Sequence, residues 1–221
     1  MKVTIFGEEF ELLSQKALFW PAQKLVLLAD MHLGKINHFR KAGIPVPVKA
    51  NERNWEVLID IVQTTKAKRI ICVGDLFHSH YNYDWEIVKQ FTQSFPEVSF
   101  ELVTGNHDIL ADHLYAHSGV MVHGERLRIE KFVLSHFPAE EPDPECYTLS
   151  GHIHPGIKLF GKGKQSMMLP CFYFGEHQGY LPAFGMFTGL SRIQPKKADQ
   201  VFVVAEGSII HIQDLQLTHE M

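Results

Sequence analysis

The chain has 221 residues, is 45% hydrophobic and 21% charged, and carries a formal net charge of -4. That composition predicts a soluble globular protein with a sizeable core and excludes one that holds polyanions by bulk positive charge. Three widely separated cysteines, Cys72, Cys146 and Cys171, exclude a disulfide framework and fit a reducing cytoplasm. No apolar run reaches the length of a membrane span, and Met1–Phe6 lacks the features of a secretory leader, so no membrane association is expected. Histidine is the unusual feature, at 14 residues, and it is the commonest metal ligand.

In chain order, short β-rich apolar runs recur at Val3–Phe6, Leu25–Leu28, Ile70–Val73, Val98–Val103, Phe132–Leu134 and Val201–Ala205. Several are near-continuous, as in strands covered on both faces. Between them, Trp55, Leu58, Ile59 and Val62 follow helical spacing within 50–65. Trp85, Val88, Phe91 and Phe95 do the same from Asp84, a suitable N-cap. The first half therefore reads as alternating strands and helices around a mostly parallel sheet. Beyond Met121 helical periodicity fades, and a second packed sheet is expected. No linker, repeat or low-complexity tract divides the chain, so residues 1–221 read as a single domain.

Five short motifs follow the strand-like runs: Asp30-Met31-His32, Gly74-Asp75, Gly105-Asn106-His107-Asp108, His136, and Gly151-His152-Ile153-His154. Ligands bind at the carboxyl ends of strands in open α/β sheets. Each motif alone is weak, because Gly-Asp is commonly a turn and a lone buried histidine is commonly structural. Together they require strand after strand to end in Asp, Asn or His. In extended backbone the x-His-x-His run would place both imidazoles on one face. Carboxylates and imidazoles suit borderline divalent ions such as Mn, Fe or Zn, whereas an all-oxygen set would point to Mg or Ca. Two such ions about 3.5–4 Å apart can hold a phosphoryl group and activate water. Asp75 is the candidate bridging carboxylate.

This ordered set resembles the calcineurin-like metallophosphoesterase superfamily over nearly the whole chain. The resemblance implies a four-layer α/β/β/α sandwich with the site at one sheet edge, and two divalent metal ions. One ion would take Asp30, His32, Asp75 and His154; the other would take Asp75, Asn106, His136 and His152. It further implies that His107 acts near the phosphate as acid or electrostatic stabiliser, with Asp108 orienting it. Many relatives follow Gly-Asp with a second Asp and an Arg, and this chain has Leu76-Phe77-His78 instead. His78 and His80 are candidates for hydrogen-bonding the ligands. The runs Leu28–Lys35, Phe39-Arg40, Gly43–Pro47 and Leu181–Gly189 are similar to those of bacterial ligase-associated DNA damage response endonucleases. That likeness implies manganese, with iron, zinc or magnesium as alternatives, a DNA substrate, and association with an ATP-dependent DNA ligase, a helicase and an exonuclease.

Two acid-free windows flank the proposed ligands. The first contains Lys35, His38, Arg40, Lys41 and Lys49; the second contains Lys158, Lys162 and Lys164 with Phe160, Phe172 and Tyr173. Lys35 and Arg40 are expected to contact phosphate, and the aromatics to stack on bases. The expected activity is thus metal-dependent phosphodiester hydrolysis, by an endonuclease in DNA repair. The alternatives are hydrolysis of a small nucleotide or nucleotide-sugar ester, and a non-catalytic scaffold on the same fold.

Overall fold

The structure is a computed structural model that describes residues 1–35, 49–78, 84–160, 165–186 and 188–212. Its first sheet has seven strands in chain order: β1 (Lys2–Ile5), β2 (Glu8–Leu13), β3 (Ala17–Trp20), β4 (Leu25–Leu28), β5 (Arg69–Val73), β6 (Ser99–Val103) and β7 (Val120–Val122). Strands β1 to β4 pair antiparallel, whereas β4 to β7 pair parallel. Helices α1 (Lys49–Thr65), α2 (Asp84–Ser94) and α3 (Asp112–His117) supply crossovers. The parallel half matches the alternation read from the sequence. The β2–β3 hairpin was not anticipated, because Glu8, Glu9 and Glu11 interrupt the apolar run that marks a covered strand.

The second sheet holds β8 (Arg126–Ile129), β9 (Phe132–Ser135), β10 (Tyr147–Ser150), β11 (Pro155–Phe160), β12 (Ser166–Phe174), β13 (Gln178–Tyr180), β14 (Ser191–Arg192), β15 (Gln200–Ala205) and β16 (Ser208–His211). Its β9, β10 and β13 are parallel neighbours, so their carboxyl ends share one edge.

Alternation along the strands sorts the core into layers. Val26, Leu28, Ile70 and Cys72 pack with Trp55, Leu58, Trp85 and Val88 of the helices. Leu25, Leu27, Ile71 and Val73 instead face Phe132, Leu134, Leu149 and Phe172 of the second sheet. On that sheet's far side Ile157, Cys171, Val201 and Val203 form a smaller cluster. The fold is therefore α/β with two stacked sheets, as expected. The three α-helices α1, α2 and α3 all contribute to the first core; the second helical layer implied by the resemblance falls on none of them. No helix among the described residues is long and apolar enough to cross a membrane.

One buried charge sits between the sheets. Glu101 on β6 accepts two bonds from Arg69 at 2.8 and 2.9 Å, one from Ser99 at 2.7 Å, and faces His123 Nε2 at 2.6 Å. Burial alone would raise its pKa, but the Arg69, Ser99 and His123 bonds outweigh it and hold the carboxyl at about 2. A depressed carboxylate contributes stability that is present above its unfolded value of 4.5 and is lost as pH falls toward about 2. Glu101→Gln is thus expected to cost about 2–3 kcal/mol at pH 7. Denaturant midpoints of parent and variant should converge as pH drops below about 4.5.

Candidate metal centre

The carboxyl ends of β4, β5, β6, β9 and β10 bring the five motifs together. Asp30, His32, Asp75 and His136 form a buried floor, while Asn106 and His152 are exposed and His107 and His154 are half-buried above it. The loops are held in register by backbone bonds: Asp30 N–H donates to Gly74 O at 3.1 Å and His32 N–H to Asp75 O at 2.9 Å. Behind Asp75, Phe77 stacks on Trp85 of α2 at 3.9 Å between centroids and fixes that loop to the helical layer.

Left-handed backbone concentrates here. Eleven non-glycine residues among those described have positive φ, and five are Asp30, His32, Asp75, His152 and His154. Such conformations cost of order 1 kcal/mol or more each, and they turn side chains inward from loops too short to reach otherwise. The same turns overrule one expectation. His152 and His154 (φ 64 and 48) do not lie in extended backbone, and their rings face different partners. The His152 ring lies 4.9 Å from His136, whereas His154 lies 5.4 Å from His32. Two glycines permit the close approach: a Cβ on Gly74 would come within 2.0 Å of His136 Nδ1, and one on Gly105 within 2.3 Å of Asp75 Oδ1.

The donor atoms converge in two adjoining groups. Asp30, His32 and His154 form one, and Asp30, Asp75 and His136 the other. Asp30 is common to both, and Asp75 of the second group also faces the first, with Oδ2 3.8 Å from His32 Nε2 and Oδ1 3.5 Å from His136 Nε2. His136 Nε2 also lies 2.9 Å from Asn106 Oδ1 and 3.1 Å from His152 Nδ1. Ligand bonds of about 2.1 Å set donor atoms about 3.0–3.4 Å apart around an ion, so this spacing fits a coordination shell. Ring orientation fits as well. His136 Nδ1 faces Val73 O at 3.5 Å and His154 Nδ1 faces Gly189 O at 3.2 Å, which turns each Nε2 toward the carboxylates. Both His32 ring nitrogens are buried without a hydrogen-bond partner. Burial, then the charge of Lys35, lowers the His32 pKa to about 2, so the ring is neutral and able to bind metal. The residues present therefore fit a pair of divalent cations.

His107 and Asp108 are arranged differently from the expected pair. His107 N–H donates to Asp75 Oδ1 at 2.9 Å, and its Nδ1 lies 3.2 Å from His78 O, with the two rings stacked at 5.1 Å. Asp108 makes no side-chain bond to His107 among the described residues. Its oxygens accept from Gly105, Leu76 and Phe77 N–H at 2.9, 3.0 and 3.3 Å. It thus ties the β5 and β6 loops together, and the His78 carbonyl takes the place expected for it at His107. Burial pushes the Asp108 carboxyl up to about 7, opposed by the Gly105 bond.

Lys35 is half-buried beside the floor, where desolvation lowers its pKa and the charges of Asp30 and Asp75 raise it. Arg40, His38, Lys41, His80, Lys162, Lys164 and the 43–47 segment lie outside the described residues. In the second window Phe172 is core, and Tyr173 donates to Asp199 at 2.9 Å while its ring stacks on that of Tyr180 at 4.9 Å between centroids; Phe160 is exposed, with Lys158 Nζ 5.2 Å from its ring centre. Sequence reasoning missed Phe137, 49% exposed with its ring 4.6 Å from that of His152. Its position next to His136 was the available signal.

The family model for calcineurin-like phosphoesterases matches residues 23–166, a span that contains the whole donor set. The chain belongs to the calcineurin-like phosphoesterase family. It is a metal-dependent phosphoesterase. Among solved structures it is similar to a Pseudomonas putida nuclease, MPE, with 26% identity, a TM-score of 0.80, and coverage of 96% of this chain and 99% of that one. The E. coli phosphoesterase Yfce aligns at 13% identity and a TM-score of 0.43, covering 85% of this chain and 97% of that one. No curated protein sequence matches the chain.

Proposed function

We propose that this protein is a dinuclear metal-dependent phosphodiesterase that cuts DNA internally, with residues 1–221 acting as one domain. The observation that carries the reading is the pair of adjoining donor groups, which share Asp30 and between which Asp75 faces His32 on one side and His136 on the other. The likeness to the P. putida nuclease over nearly both chains supports a nucleic-acid substrate. Asp30, His32, Asp75 and His154 hold one ion; Asp75, Asn106, His136 and His152 hold the other. Manganese is the preferred metal, consistent with the mixed carboxylate and imidazole set.

When bound, the two ions neutralise phosphoryl oxygens and lower the pKa of the attacking water. The remaining work falls to the chain's own side chains. Lys35 and Arg40 bind phosphates beside the scissile one. Half-exposed Phe137 offers an apolar face to a neighbouring base. His107 donates Nδ1–H to the His78 carbonyl, so that its imidazolium form can deliver the Nε2 proton to the departing oxygen, leaving the neutral Nδ1–H ring, or stabilise charge on that oxygen. Asp108 positions the loops that carry these groups. In the cell the reading places the enzyme in the cytoplasm, in DNA repair with a ligase, a helicase and an exonuclease.

The test is incubation of metal-stripped protein plus Mn with covalently closed circular DNA, alongside cyclic nucleotides and nucleotide-sugars. Cutting of the circle, falling steeply with added salt, is expected. Turnover of the small esters with the circle left intact would replace the reading with that of a small-ester hydrolase.

A further inference from the structure

Lys16 lies in the β2–β3 turn, far in sequence from every motif, yet its ammonium is mostly buried. It donates to Ala183 O at 2.6 Å and Gly185 O at 3.1 Å, and no described carboxylate lies within 4 Å of it. Burial lowers its pKa to about 8, so the cation persists at neutral pH. Burying an ammonium costs several kcal/mol before its bonds are counted, which an apolar side chain would not incur.

The carbonyls it holds belong to a strap that grips one half of the metal centre. Ala183 bridges Ala29 in parallel, Phe184 N–H donates to Ala29 O at 2.8 Å, and Gly185 N–H donates to Asp30 O at 3.1 Å. A Cβ on Gly185 would come within 2.3 Å of Met31 O, so the strap lies directly on the Asp30 turn. Four residues on, Gly189 O faces His154 Nδ1 at 3.2 Å and leaves Nε2 toward Asp30 Oδ1 at 3.3 Å. Asp30 and His154 share one donor group with His32. Asp30 also belongs to the second group with Asp75 and His136, but among the described residues no hydrogen bond of the strap goes directly to Asn106, Asp75 or His136.

We propose that Lys16 is a positioning residue for the Asp30, His32 and His154 group, acting through the backbone of Ala183–Gly185. It sets the left-handed Asp30 turn (φ 53), and so chiefly the affinity of the ion held with His32 and His154, the second group being reached only through the shared Asp30. The inference rests on the two-ion reading.

The test is Mn titration of metal-stripped parent, Lys16→Met and Lys16→Arg by calorimetry, with electron paramagnetic resonance reporting coupled against isolated Mn. The parent should bind two ions. In Lys16→Met one of the two should weaken by about 10–100-fold, the range for lost outer-shell support. The coupled signal should then give way to an isolated one, and the metal-free melting temperature should stay within a few degrees of the parent's. Lys16→Arg, which keeps the cation, should recover much of the affinity. Unchanged binding of both ions in Lys16→Met, or equal weakening of both with a collapsed melting temperature, would overturn the proposal. A parent that binds fewer than two ions would remove the reading beneath it instead.

Discussion

Asp75→Ala is expected to abolish diester hydrolysis and, with it, the stabilisation that Mn confers. Asp75 Oδ1 and Oδ2 face different donor groups, so its removal weakens both at once. It also deletes the acceptor of the His107 N–H, which loosens the candidate acid. Turnover of bis-p-nitrophenyl phosphate should fall by more than about 10³-fold, the upper end for loss of a single electrostatic donor. The binding readout is independent of turnover. Mn at 100 times its dissociation constant contributes about 2.7 kcal/mol per site. At roughly 2–4 °C per kcal/mol for a domain of this size, two sites raise the parent's melting temperature by roughly 10–20 °C. Asp75→Ala should lose most of that rise. A variant that keeps the Mn-dependent rise would show that Asp75 does not span two ions.

His107→Ala is expected to separate binding from chemistry. The ring lies outside both donor groups; its main-chain N–H bonds Asp75, and the ring meets that of His32 edge-on at 5.4 Å between centroids with no hydrogen bond between them. That amide survives the substitution, so the variant should keep the full Mn-dependent rise in melting temperature. Turnover of a poor leaving group, such as the sugar oxygen of DNA, should fall by about 10²–10⁴-fold, the usual range for a lost general acid. p-Nitrophenolate departs without a proton, so bis-p-nitrophenyl phosphate should lose far less. Equal losses on both substrates would assign His107 to electrostatic stabilisation of the phosphoryl oxygens. Equal turnover with DNA would remove it from the mechanism.

Much of the candidate centre could be read along the chain because its candidate ligands come from loops that directly follow strands. Asp30-x-His32, Gly74-Asp75 and Gly105-Asn106-His107 each sit one or two residues past an apolar run, and parallel pairing of β4, β5 and β6 aligns those ends. Asp108 shows where local reading stops. The resemblance implied an orienting carboxylate for His107, but the 105–108 turn aims Asp108 at the backbone of Gly105, Leu76 and Phe77. His152 and His154 show the same limit, since alternation by two holds only in extended backbone and both residues are left-handed.

From its residues alone the chain specified two stacked sheets, a candidate metal-binding Asp, His and Asn set in a definite order, and membership of a phosphoesterase family. Local hydrophobic pattern and strand-end chemistry are properties of neighbours in sequence, and they survive without a fold. Only the tertiary structure decided that Asp75 faces both donor groups, that a main-chain carbonyl of His78 rather than Asp108 meets His107, and that Lys16 reaches the Asp30 turn through residues 167 and 169 positions away. These contacts are made by main-chain carbonyls and by ring and carboxylate orientations. Every residue type has a carbonyl, and orientation is set by the turn on which a side chain sits, so neither leaves a mark in the order of amino acids.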